Sequence, residues 1–249
     1  VTVSAVYAGD LNGNIFKFNI SDANPANWSV ARIAVLQDAS GTAQPITQSV
    51  EVGQVNSHTA IFVGTGRSLA TSDFSSTQIQ SVYAFLDDGT TYTNSNSPRN
   101  ILVQQKVTVG SGGTRTITQN QVNYQTQKSW YFDLPAGEEV TTDMQLAFGT
   151  LVLNSDAPST TACSSNSYQY QVNENNGGQM DSSYFSTVTT QWAGRLLGSN
   201  LSSRPVVSVL PNGTVISFTH GSDNSVTSLA LLGKGATTLH KIYWREVRG

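Results

Sequence analysis

The stretch VYAGDLNGNIFKFN, residues 6–19, decides the fold class. Val6, Tyr7 and Ala8 form a short β-prone run, and Ile15, Phe16 and Phe18 form another. Between them Asn12-Gly13 readily takes the positive φ angles of a two-residue type I′ turn, so the stretch reads as strand, reversal, strand. PVVSVLPNGTVISF, residues 205–218, has the same shape around Asn212-Gly213. Two copies of one hairpin unit are the pattern that one blade of a propeller leaves in sequence.

The rest of the chain repeats the theme. Helical periodicity is nearly absent, whereas β-branched and aromatic runs recur between turn clusters. Strands are expected at Val3 to Ala8, Asn14 to Asn19, Ala60 to Gly64, Gln80 to Leu86, Ile101 to Val109, Trp130 to Leu134, Leu146 to Asn154, Tyr168 to Val172, Val206 to Leu210, Thr214 to Thr219, Ser225 to Leu231 and Leu239 to Val247. Asp87-Asp88-Gly89 and Asp133-Leu134-Pro135-Ala136-Gly137 mark further reversals. About fourteen strands at four per blade give three to four blades. The expected fold is therefore all-β and β-propeller-like, with residues 1–249 forming one such domain or the C-terminal part of a larger ring. The Thr-, Asn- and Gln-rich stretch at about 87–128 reads as a long insert-like loop.

Composition narrows the partners. Only 12% of the residues are charged, 38% are hydrophobic and the net charge is -3, which excludes a disordered chain and gives no positive field for nucleic acid or anionic lipid. No apolar run approaches the roughly 20 residues of a membrane-spanning helix. A single cysteine, Cys163, rules out an intrachain disulfide and any zinc site built on several cysteines.

Motifs for catalysis are weak. Gly64-Thr65-Gly66-Arg67-Ser68 lacks the third glycine of a dinucleotide loop and the Gly-Lys-Ser/Thr ending of a P-loop, so it reads as a tight turn after a buried strand. His58, His220 and His240 are too far apart in sequence to form a local base or ligand set. Glu138 and Glu139 are adjacent and read as solvated turn residues, because neighbours on a strand face opposite ways. No catalytic residue is assigned. Asp10, Asn12 and Asn14 have the alternate spacing that starts an EF-hand-like loop, but glycine falls at the fourth position and no glutamate stands at the twelfth, so a blade hairpin is the better reading. Arg67 is the charge to watch: beside a Gly-Thr-Gly turn it is expected to pair with a carboxylate such as Asp73, in a structural or partner-facing role. Trp28, Trp130, Trp192 and Trp244 are expected to pack within blades.

A family resemblance rests on several of these segments in order. YAGDLNGNIFKF from Tyr7, FVGTGRSLATSDFSSTQIQSVYAFLDDGT from Phe62, Leu102 to Gln105, Arg115 to Thr118, SWYFDLPAGEEVTTD from Ser129, Ala162-Cys163-Ser164, Gly177-Gly178 and Tyr243 to Glu246 together resemble the C-terminal domain of the PilY/PilC type IV pilus tip-associated adhesins. That resemblance covers nearly the whole chain. It implies a modified quinoprotein-type propeller without enzymatic activity, supporting pilus biogenesis, surface attachment and twitching motility. The implied location is extracellular, at the pilus tip or outer-membrane surface of a bacterium. Its implied partners are minor pilins and a host-cell or abiotic surface. No cofactor is expected in this chain; the family's calcium loop has no copy here and is expected upstream, as is a von Willebrand factor A-like domain. The integrin-binding Arg-Gly-Asp tripeptide of some members is also absent. The blade motif is shared with quinone-dependent dehydrogenases, so an oxidoreductase is the alternative, and a carbohydrate-binding propeller a third reading.

Overall fold

The structure is a computed structural model that describes residues 3–159, 165–180 and 192–231. Among these residues seventeen strands, β1 to β17 in chain order, form four sheets. The first is an antiparallel meander of β1 (Ala5–Gly9), β2 (Asn14–Asn19) and β3 (Ser29–Val35). The second contains β4 (Glu51–Val55), β5 (His58–Gly64), β6 (Ser81–Leu86), β7 (Val103–Gln105) and β10 (Ser129–Asp133), in the order β4-β5-β6-β10-β7. The third contains β8 (Val107–Val109), β9 (Thr114–Ile117), β11 (Gln145–Ala147), β12 (Thr150–Ala157), β13 (Asn166–Asn173) and β14 (Gly194–Gly198), in the order β11-β12-β13-β14-β9-β8. The fourth is another meander, β15 (Val206–Val209), β16 (Val215–His220) and β17 (Val226–Ala230). The two hairpin units that set the fold class thus open the first and the last sheet.

The sheets stack face to face in chain order, and the alternation of side chains along each strand shows how. On the second sheet Ile61, Val63, Tyr83, Phe85 and Tyr131 point to one side and join Ile15, Ala34 and Leu36 of the first sheet's flank. Their neighbours Ala60, Phe62, Val82, Ala84, Trp130 and Phe132 point to the other side, against Leu151, Leu153, Tyr170 and Val172 of the third. The central strands β5, β6 and β10 are therefore buried on both faces, which is why HTAIFVG and SVYAFL read as continuous apolar runs rather than alternating ones. Trp130 and Phe132 stack with ring centroids 6.0 Å apart. Gly177 lies against the Trp130 ring at φ 68°, and any Cβ there would drive into the indole.

The contact between the third and fourth sheets has a different character. Gln169 and Gln171 alternate with Tyr170 on β13 and face the fourth sheet, where Gln169 bonds Thr219 at 3.2 Å and also accepts from Ser217. Asn154 of β12 donates to Thr219 at 3.0 Å and to the Ser203 carbonyl at 2.7 Å. All of these side chains except Ser203 are buried.

Several expectations change. The Asn-Gly reversals are not two-residue type I′ turns: only Gly13 and Gly213 have positive φ, the Gly13 amide closes on the Asp10 carbonyl and that of Gly213 on the Leu210 carbonyl. Each is a three-residue connection with glycine at the left-handed position; the first is held by the Asp10 carboxylate, which accepts the Asn12 and Asn14 amides, and in the second Asn212 Oδ1 accepts the Thr214 amide. The stretch read as an insert-like loop at 87–128 carries β7, β8 and β9 and a four-residue helix at Pro98–Ile101; β7 runs parallel to β10 at the edge of the second sheet, and β9 joins the third. The run from Leu146 to Asn154 breaks at Phe148-Gly149, both at positive φ, into β11 and β12. β3, β4, β9 and β14 lie outside the expected strands: β4, β9 and β14 are short or largely polar, whereas β3 is a seven-residue, mostly apolar SVARIAV. Trp28 is not a blade-packing residue but is half-exposed beside a one-turn 3-10 helix, donating to the Asp22 carbonyl. Cys163, His240, Trp244 and the strand expected at Leu239 to Val247 lie outside the described residues.

Double burial of these central strands sets their sensitivity. Phe132→Ala should destabilise the protein by about 3–5 kcal/mol, whereas Phe18→Ala on the open face of the first sheet should cost far less; urea unfolding of the two variants separates these outcomes.

Candidate functional site

The ends of β5, β10 and β12 meet at one polar junction. The Thr65 amide bonds the Ser81 carbonyl, the Val140 amide bonds the Thr65 carbonyl, and the Glu139 and Asp156 backbones exchange hydrogen bonds at 2.8 and 2.9 Å. This threads the loop after β10 between the second and third sheets. Gly66 is required there by close approach, since a Cβ would meet Glu139 Cβ and the Val140 backbone at 2.7 to 2.8 Å.

Glu138 and Glu139, read from sequence as solvated, are both buried. They do face opposite ways, and each finds its own partners. Glu138 Oε1 accepts from Arg115 Nε at 3.1 Å and Nη2 at 2.7 Å, while Oε2 accepts from Tyr170 at 2.7 Å and Ser155 at 2.9 Å. The Arg115 guanidinium also lies 4.1 Å from the centre of the Tyr168 ring. Arg115 comes from β9, Ser155 from β12 and Tyr170 from β13, so one carboxylate on the loop after β10 gathers three strands of the third sheet. Burial is the largest influence on Arg115 and opposes its charge, but the hydrogen bonds to Glu138 and the attraction of that carboxylate together outweigh it and hold the guanidinium pKa above its ordinary value. The same burial, with Glu138 beside it, pushes the Tyr170 hydroxyl well above the usual range.

Glu139 turns to the Gly-Thr-Gly-Arg turn, accepting from the Arg67 amide at 3.0 Å and from the Ser68 hydroxyl. Arg67 itself reaches Asp73, Nε at 3.0 Å and Nη2 at 2.7 Å to Oδ1, while Asp73 Oδ2 takes the Leu69 and Ala70 amides. The Arg67 hydrogen bonds hold the Asp73 carboxyl below its ordinary range. Asp73 is buried, but the Arg67 side chain is 47% exposed, so this pair rims the junction. Behind it Asp156 accepts from the Ser202 amide and hydroxyl, both at 2.9 Å. Burial pushes the Asp156 carboxyl up to about 6 and raises Glu139 as well.

The bonds of this arrangement run between neighbouring strands and turns. Each carboxylate is committed to donors from neighbouring strands, and among the described residues no three His, Cys, Asp or Glu side chains converge as metal ligands. The Asp10, Asn12 and Asn14 group does not fit a calcium ion: both Asp10 oxygens accept the Asn14 side-chain amide, at 3.1 and 2.8 Å, so the nitrogen rather than the oxygen of Asn14 faces the carboxylate. Period-two reading of TRTI would have placed Arg115 on the same inward face as Ile117. No local signal announces Glu138, whose partners lie 17 to 32 residues away.

Comparison with known proteins assigns this architecture. The chain is 29% identical, over an alignment of 260 positions covering 97% of its length and 21% of the other protein, to a type IV pilus biogenesis factor PilY1 homologue from Xylella fastidiosa (strain Temecula1 / ATCC 700964). A second PilY1 homologue from the same strain is 26% identical over 92% of this chain and 16% of its own. The chain spans about a fifth of the length of these relatives. No protein-family model matches it. The crystal structure of the Pseudomonas aeruginosa PilY1 C-terminal domain aligns with a TM-score of 0.70 at 19% identity, covering 91% of this chain and 57% of that one. The stacked sheets are therefore those of a β-propeller-like domain, and among the described residues no sheet closes on itself. Within that class the chain is similar to the PilY1 C-terminal domain, in line with the resemblance carried by the ordered PilY/PilC segments.

Two outcomes test the junction. Glu138→Ala leaves Arg115 buried without its counter-charge and should cost about 3–5 kcal/mol, with the double variant carrying Arg115→Met recovering part of that loss in urea unfolding. Asp156 and Glu139 are both raised in the fold, so the contribution of each to stability is full below the ordinary carboxyl values and is lost as pH rises through its folded value, about 6 for Asp156. Asp156→Asn should therefore match the wild type near pH 4 and exceed its stability above pH 6, in unfolding curves taken across that range.

Proposed function

We propose that this chain is a non-enzymatic scaffold domain of a type IV pilus biogenesis factor, carried outside the cell at the pilus, where it supports pilus assembly and, through it, surface attachment and twitching motility. The observation that carries this reading is likeness along 97% and 92% of the chain to two proteins named for pilus biogenesis. The fold agrees with a scaffold role. Its ionisable side chains at the junction are bound into inter-sheet bonds rather than presented to a substrate, and a rigid stack of sheets holds its loops in fixed positions. Minor pilins are the partners this reading names, with a host-cell or abiotic surface on the far side.

The test is genetic. In the source bacterium the full-length gene is replaced by a version lacking this segment, and surface pili are counted by electron microscopy beside twitching zones on agar. The truncated product is confirmed by immunoblot. Loss of most pili and of the twitching zone is expected; normal piliation and motility with a stable truncated protein would overturn the proposal.

A further inference from the structure

Beside the junction, on the side facing the first sheet, lies a cavity of about 330 Å³ bordered by Asp38, Ser40, Thr77, Ile79, Arg99 and Asp133. Its volume is at the lower end of small-molecule sites, enough for a single ring-sized ligand. Arg99 is fixed in it. The outer fork of its guanidinium is taken by Asp133, Nη1 to Oδ1 at 2.8 Å and Nη2 to Oδ2 at 2.7 Å, and its plane rests 4.8 Å from the centre of the Tyr131 ring. Asp133 is held in turn by Ser81 at 2.7 Å. That leaves the second, parallel edge of the guanidinium: neither Nε–H nor the remaining Nη2–H has an acceptor among the described residues. Two aligned donors are thus preorganised and unused.

An acceptor stands in the same cavity. Asp38 Oδ1 is filled by the Ser40 amide and hydroxyl and the Thr42 amide, but Oδ2 takes only Gln78 Nε2 at 3.1 Å among the described residues. A carboxylate accepts about four hydrogen bonds, so Oδ2 has capacity left. The lining thus offers one fixed pair of donors and one open acceptor, with Ala39 and Ile79 as an apolar strip. Its formal charge, one guanidinium against two carboxylates, is negative, which works against an anion on the free fork. A simple amine would leave the fork unpaired. Hydroxyl groups satisfy both sides, because each accepts and donates.

We propose that this cavity binds a neutral sugar, with two adjacent hydroxyls accepting from the free Nε and Nη2 edge of Arg99, one of them donating to Asp38, and the C–H face of the ring resting on Ile79. The site stands independently of the pilus reading.

The test is saturation-transfer NMR on the purified full chain with a panel of glucose, galactose, mannose, N-acetylglucosamine and lactose at millimolar concentration, beside sialic acid and glucosamine. Two variants accompany it. Arg99→Lys keeps the charge and the contact with Asp133 but removes the free fork. Ala39→Trp plugs the cavity from an exposed position and removes no hydrogen bond, so it decides the matter even where Arg99→Lys fails to fold. Transfer to at least one neutral sugar is expected, weakened at least about tenfold in each folded variant. No binding by any neutral sugar, unchanged binding in Ala39→Trp, or binding confined to the charged sugars would overturn the proposal.

Discussion

The central strands of the second sheet, β5, β6 and β10, have no solvent face, and much of the molecule is arranged around that constraint. Once Ile61, Tyr83 and Phe85 point one way and Phe62, Trp130 and Phe132 the other, each side must be covered by another sheet. The first and third sheets do this. Each central strand of the middle sheet is then committed to two interfaces at once, so a one-residue slip of β6 would exchange Tyr83 and Ala84 between the two sides. Register in β5, β6 and β10 is fixed from two directions.

A sheet buried on both faces creates a problem at its ends, where chain reversals carry polar backbone into the contact between sheets. The loop after β10 solves it with charge. Glu138 reaches into the third sheet to Arg115, Ser155 and Tyr170, while Glu139 satisfies the Gly-Thr-Gly-Arg turn. Burying charges is costly, and a well-packed apolar replacement can be as stable. What the ionic solution adds here is direction: two fork bonds and two hydroxyl bonds converge on one carboxylate, and they do so for one relative placement of the two sheets.

Much of this was legible in the sequence, for reasons that differ by element. The hairpins at residues 6–19 and 205–218 declare themselves because turn chemistry is local, although their turn type does not, the three-residue form being held in the first by Asp10 and its hydrogen bonds. β5 and β6 are visible as apolar runs. β4, whose alternate residues face solvent, and β9, whose TRTI carries an inward arginine, are not. The site divides in the same way. Arg67 and Asp73 are six residues apart, and a charge beside a glycine turn in a charge-poor chain draws the eye. Glu138 depends on partners from three distant strands, and an adjacent pair of glutamates gives no sign that each will be buried.

The face between the third and fourth sheets behaves unlike the greasy contacts on the other side of the stack. Gln169, Gln171, Asn154, Ser217 and Thr219 meet there as a layer of discrete amide and hydroxyl bonds. Apolar surfaces can slide past one another with little loss, because their attraction follows area and has no preferred direction. A hydrogen-bonded layer cannot, since a shift of an ångström or two breaks several bonds together. Under shear the last sheet is therefore keyed to its neighbour like a tooth in a lock, holding without creep up to the load at which the bonds give way as a group.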